Sequence, residues 1–217
     1  MSPYKWLSLL TITLTGCDEA AQDAADEAED NAVESTVYSC IEDEDYSSCS
    51  AGDFGPENAW WHTDASSLPD GLTGTGFKTG DTAHDFILQD QNGDPVQLYQ
   101  FYGQIIVLNV FVEWAYSNDD VTHTAERMWN DLKDDGFVYL SVMVEDSQGA
   151  PPSIASGTAW ASQFGLTHPV LVDPKGSQDV YAQVAYPTLV IIGRDMTIIE
   201  SDFWPMNPLW LAELVLY

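Results

Sequence analysis

Two long apolar runs, IIVLNVFV (105–112) and FVYLSVMV (137–144), each with a single polar residue, constrain the fold of this chain more than any other feature. A half-exposed strand alternates polar and apolar residues, so a continuous run marks a strand buried on both faces. Between the two runs, NDDVTHTAERMWNDLKDDG has helical spacing, with Val121, Met128 and Leu132 among its inward positions and Gly136 just past its end. The alternation continues downstream: IASGTAWASQFG predicts a helix, PVLV a strand and SQDVYAQV a short helix. Upstream, HDFILQD and VQL flank QNGDP as a hairpin around Asn92 and Gly93. TLVIIG, RDM and TIIES make an antiparallel hairpin, and NPLWLAELVLY a closing helix. Strands and helices in this order imply a layered α/β domain with a mixed β-sheet flanked by helices, over residues 78–217.

The N-terminal part has a different character. The 217 residues carry 35 acidic and 6 basic side chains, a formal charge of −29, and no Lys or Arg lies between Lys5 and Lys78. Such a surface repels phosphate backbones, which argues against nucleic acid as a partner. Lys5 precedes the apolar run WLSLLTITL, which ends in LTGC at Leu14 to Cys17. The run is too short for a stable membrane span, and its flanks fit an export peptide. The pattern resembles a bacterial lipoprotein signal over residues 1–16, and that resemblance implies cleavage before Cys17 and acylation of its thiol and new amino group. Acyl chains anchor firmly, at about 0.8 kcal/mol per buried methylene. The expected location is therefore the bacterial cell envelope, exported and held to a membrane through Cys17, with inner and outer membrane both open. Residues 17–36 are dominated by Ala, Asp and Glu and read as an acidic, solvated tether, because they lack apolar surface to offset the entropy of ordering.

Residues 37–77 form an acidic, cysteine-containing extension and linker. Cys40 and Cys49 are separated by eight residues, and with Cys17 acylated they are the remaining thiols. In an oxidising compartment such a pair closes into a disulfide, which contributes roughly 2 to 3 kcal/mol for so short a loop. A redox-active pair would need positive charge to stabilise a thiolate, yet Asp43, Glu44 and Asp45 lie between the cysteines. Those acids do not make a calcium loop of the EF-hand type either: Ser48 falls where Gly is needed and Phe54 where a bidentate Glu is needed. SSLPDGLTGTGFKTGD reads as linker or loop, and its Gly74 and Gly76 have no preceding strand to make a nucleotide fingerprint.

The order of GDTAHDFILQDQNGDPVQL, LNVFVEWA, WASQFGLTHPVLVDPKG and YAQVAYPTLVIIGRDMTII resembles the redoxin branch of the thioredoxin superfamily, over Thr79 to Ser201. That branch includes peroxiredoxins and membrane-tethered thiol-disulfide oxidoreductases, and the resemblance implies a thioredoxin-like fold. It also places a Trp-Cys-x-x-Cys motif where the first buried strand meets the following helix. Trp114 matches the tryptophan, Ala115 takes the first cysteine position and Asn118 the second, and no cysteine follows Cys49. Asp119 and Asp120 stand in the first turn of that helix, where a thiolate would otherwise draw on the helix dipole, and Ser117 or Asn118 suits its N-cap. The resemblance puts Pro187 at the family's cis-proline position. Trp114, Tyr116, Tyr186 and Pro187 then stand under two readings: core residues that shape the fold, or an aromatic groove taking an extended peptide or protein partner by strand addition.

No cofactor is expected. For metals, His123 lies three residues before Glu126 but has no second His at the next turn, so His62, His84, His123 and His168 read as surface or capping residues. The expectation for function is a lipid-anchored envelope protein whose thioredoxin-like domain lacks the catalytic cysteines and serves as a binding or scaffolding module. A thiol-disulfide oxidoreductase using Cys40 and Cys49 is the alternative, and an acidic cation-binding surface protein the third reading.

Overall fold

The sheet is built around the two apolar runs. In a computed structural model that describes residues 58–115, 118–182, 185–203 and 205–217, they form strands β3 (Ile105–Val112) and β4 (Phe137–Glu145), paired in parallel from Ile105 opposite Phe137 onward. Five further strands complete it: β1 (Ile87–Asp90), β2 (Pro95–Gln97), β5 (Val170–Val172), β6 (Thr188–Ile192) and β7 (Ile198–Glu200). Their order is β2-β1-β5-β4-β3-β6-β7. The β3–β4 and β4–β5 pairs are parallel and the other four antiparallel, so the sheet is mixed as expected. The described residues all belong to one unit, Cys40–Tyr217. Cys17, Cys40, Cys49 and Tyr116 lie outside the described residues, as do the signal and tether segments.

The predicted helices form as α1 (Asn118–Leu132), α2 (Ile154–Phe164) and α3 (Pro208–Leu216), while SQDVY makes a short 3-10 helix, Ser177–Tyr181. Gly136 follows α1 and its 3-10 extension with φ 88°, a left-handed geometry that a side chain would strain. Helix α2 starts on Ser153, whose side chain accepts from the Ser156 amide.

Alternate residues of the central strands serve two cores. Ile105, Val107, Phe137 and Tyr139 pack under Val121, Ala125, Met128 and Leu132 of α1 and Leu211 and Val215 of α3. Phe111 and Met143 continue that face beneath Trp160 of α2. The opposite face, Ile106, Leu108, Val110, Leu140 and Val142, is covered by Phe86, Leu98, Tyr99, Phe101 and Tyr181. Trp60, Leu72 and Phe77 pack against the same core. The glycine-rich stretch is thus a loop laid on the domain, its Gly80 amide donating to Ile198 O at 2.8 Å, and the residues ahead of it are tied down too: Asn58 Nδ2 donates to Pro95 O at 2.8 Å and Trp60 Nε1 to Asp90 Oδ2 at 2.7 Å. Asp85 is buried beside it, accepting from the Phe86 and Tyr99 amides at 3.0 Å each and from Gln97 Nε2 at 2.5 Å. Burial pushes its carboxyl up to about 7, against the lowering effect of those three bonds.

One stripe of the helix-covered face is polar. Asn109 and Ser141 are opposite partners of β3 and β4 and separate the apolar residues on either side. Above them lies His168, with Nε2 3.0 Å from Ser141 Oγ and Nδ1 3.0 Å from Glu126 Oε2. His168 is fully buried, which corrects its reading as a surface or capping histidine. It ends up inside because the turn before β5 runs under α1. The Thr167 amide and hydroxyl also bond the Glu126 carboxylate, at 2.9 and 2.7 Å.

Candidate functional site at the end of β3

Strand β3 ends at Val112 and α1 begins at Asn118, so the junction that follows the apolar run is a real strand-to-helix turn. The Ala115 amide bonds Val112 O at 3.2 Å, and the residue packs against the core beneath the sheet. Trp114 projects outward, 53% exposed. Its Nε1 donates to Glu145 Oε2 at 2.7 Å.

Glu145 reaches that position through an irregularity in the sheet. Phe111 pairs with Met143, but Val112 pairs with Glu145, so Val144 is an extra residue in β4. A bulge of this kind re-aims the side chain that follows it. The Glu113 amide donates to Glu145 O at 2.9 Å, and Glu113 Oε2 accepts from the Ser147 amide at 2.9 Å. This fixes the 146–150 loop beside Trp114, with Gly149 close to both the Glu145 carboxylate and the indole nitrogen.

The other wall comes from the segment before β6. Tyr186–Pro187 is a cis peptide bond, Pro187 is buried and Tyr186 is half-buried. Pairing of β3 with β6, Val110 opposite Thr188, brings this segment to the end of β3 that carries Trp114. The Tyr186 hydroxyl donates to Asp179 Oδ1. Burial, that bond and the charges of Asp179, Glu145 and Asp173 all push the phenol's pKa up, so it remains a donor across the physiological range. Thr188 Oγ1 donates to Ala185 O at 2.6 Å, while among the described residues nothing bonds the Tyr186 main chain.

The structure therefore brings Trp114, Ala115, Tyr186 and Pro187 to one end of the sheet. The helix start at Asn118 lies beyond Ser117, which with Tyr116 is outside the described residues. Glu145 and Asp179, which hold the two aromatic side chains, were not distinguished by sequence reasoning. The only signal for either is an acid closing an otherwise apolar strand, or one within a short helix. His123 stands apart from Glu126's hydrogen bonds, exposed, with its ring 5.5 Å from that of Phe164. Among the described residues no group of three or more His, Cys, Asp or Glu is disposed to hold a metal ion, and no helix is long and apolar enough to cross a membrane.

The AhpC/TSA family model matches residues 79–201. The chain is 27% identical over 117 residues to the Thioredoxin-like protein YneN of Bacillus subtilis strain 168, covering 54% of this chain and 66% of that protein, just under two thirds of its length. It is 27% identical over 122 residues to the Thiol-disulfide oxidoreductase ResA of Geobacillus kaustophilus strain HTA426, covering 56% and 67%. The solved thioredoxin domain of a thiol-disulfide oxidoreductase from Bacteroides vulgatus superposes with a TM-score of 0.52 at 16% identity, covering 62% of this chain and 94% of that one. At that identity the likeness concerns the fold, which is thioredoxin-like.

Proposed function

The chain belongs to the AhpC/TSA family, and on that premise we propose that it is an exported, lipid-anchored envelope protein that binds an extended polypeptide where its relatives carry thiol chemistry, without performing that chemistry itself. The observation that carries this reading is the pairing of Trp114 with Ala115 at the end of β3, in a chain with no cysteine after Cys49. Disulfide exchange and peroxide reduction both begin with a thiolate, and alanine offers none. What the junction retains is a binding surface: an exposed indole, a half-buried phenol and a main-chain segment at Tyr186 without an internal partner among the described residues. An extended chain can bond such a segment and lodge alternate side chains between the aromatics.

The LTGC sequence at Leu14 to Cys17 supports the anchor, and the acidic segment that follows supports a tethered domain. The relatives named thiol-disulfide oxidoreductases favour a second reading, in which Cys40 and Cys49 form a displaced redox pair. The binding reading is tested by hydrogen exchange of the full chain with an unstructured, cysteine-free polypeptide. Slowed exchange at Tyr186 and around Glu113 to Ala115 is expected. Protection confined to other segments, or none, would contradict it.

A further inference from the structure

We infer that the segment accepted at this surface carries a Lys or Arg side chain, placed between Trp114 and Tyr186; the inference rests on the peptide-binding reading above. It follows from how the two aromatic side chains are held. Trp114 donates to Glu145 and Tyr186 to Asp179, so each ring is tied to a carboxylate that its partner does not neutralise. The indole remains 53% exposed and Asp179 is exposed. Aromatic faces framed by carboxylates suit a cationic head group: the ring attracts it through its quadrupole and the carboxylate through charge.

The surroundings have the same sign. Glu113 borders the indole through the 146–150 loop, and Asp173, buried beneath the Ser177–Tyr181 helix, adds to the field felt by the Tyr186 hydroxyl. The sequence from Lys133 to Arg194 holds one further Lys or Arg, Lys175, against the acids Glu145, Asp173 and Asp179 that line or flank this end of the sheet. An acidic segment would meet repulsion here, and a neutral one would leave the carboxylates without a counter-charge.

The test uses the full chain in detergent and three short, unstructured, cysteine-free peptides that differ only in a central Arg, Gln or Glu. The Arg peptide is expected to bind about tenfold more tightly than the Gln peptide, and the Glu peptide most weakly. Glu145→Gln and Asp179→Asn keep an acceptor for the aromatic donors and remove the charge. Each is expected to weaken the Arg peptide about threefold more than it weakens the Gln peptide. Trp114→Ala is expected to weaken all three. Equal binding of the Arg and Gln peptides would overturn the charge preference and leave the groove standing. A preference for Arg that none of the three variants alters would overturn it too, because the attraction would then belong to the chain's overall negative charge. Failure of every peptide to bind would overturn both the preference and the groove.

Discussion

Nδ1 of His168 lies 3.0 Å from Glu126 Oε2, joining helix α1 to the turn that leads into β5. The bond lies over the polar stripe of Asn109 and Ser141, where the sheet offers the helix no apolar surface. Burial lowers the His168 pKa despite the neighbouring carboxylate, so the folded protein holds a neutral ring. For Glu126, burial opposes the charge, but bonds from His168, from the Thr167 hydroxyl and amide and from Asn130 outweigh it and hold the carboxyl at about 2.

Replacing Glu126 with Ala is expected to destabilise the fold by about 2 kcal/mol, because a buried ring nitrogen and the Thr167 amide lose their acceptor. Glu126→Gln should cost less. Both groups also make the wild type acid-sensitive. The unfolded His168 takes up a proton near its ordinary 6.5 while the folded ring resists, so stability declines as pH falls below about 6.5. Glu126 contributes fully above its ordinary 4.5, and that contribution is lost as pH falls towards 2. Denaturant unfolding at several pH values checks this; an unchanged midpoint in Glu126→Ala would refute it.

Asp85 works in the opposite direction. Its folded carboxyl titrates at about 7 against an ordinary 3.8, so protonation stabilises the fold fully below about 3.8 and the effect is lost as pH rises through 7. Linkage gives a loss of about 1 kcal/mol between pH 6 and 8. Asp85→Asn, which stays neutral, is expected to remove that slope in denaturant unfolding. Parallel pH profiles for variant and wild type would show that Asp85 remains ionised.

The loop ahead of β1 gives a steric test. A Cβ at Gly74 would sit 2.5 Å from His84 Cα, and one at Gly76 2.7 Å from the Asp81 carboxyl carbon. Backbone yields less readily than a side-chain end, so Gly74→Ala is expected to lower stability by about 1 to 3 kcal/mol, and Gly76→Ala by less. Equal stability of Gly74→Ala and wild type would mean that the loop does not lie on the domain.

Much of the fold was legible because strand and helix periods are strong signals. IIVLNVFV and FVYLSVMV became the paired central strands, and Gly93 and Gly136 fell at the turns their positive φ requires. What escaped the sequence depends on contacts rather than period. His168 in LTHPV has no flanking pattern to mark it as buried, and Trp60, Leu72 and Phe77 are isolated in a stretch whose composition reads as linker. At the candidate site the Trp114–Ala115 junction was visible as a strand-to-helix boundary. The bulge that sets Glu145 under the indole was not, because register shifts leave no compositional trace.

For the anchor, Cys17→Ser is expected to abolish acylation and move the protein from the membrane to the soluble fraction. Mass spectrometry and fractionation read both effects. Unchanged mass and partition would show that LTGC is fortuitous in this chain.

Chemistry at the end of β3 is read directly from turnover by the full chain with a thiol donor, using insulin disulfides and a hydroperoxide as substrates. The expected result is no rate above the uncatalysed reaction, for the wild type and for the Cys40→Ser, Cys49→Ser double variant alike. Turnover lost in the double variant would instead assign the chemistry to Cys40 and Cys49 and contradict the non-catalytic reading. Turnover that survives it would contradict the non-catalytic reading of Trp114 and Ala115 itself.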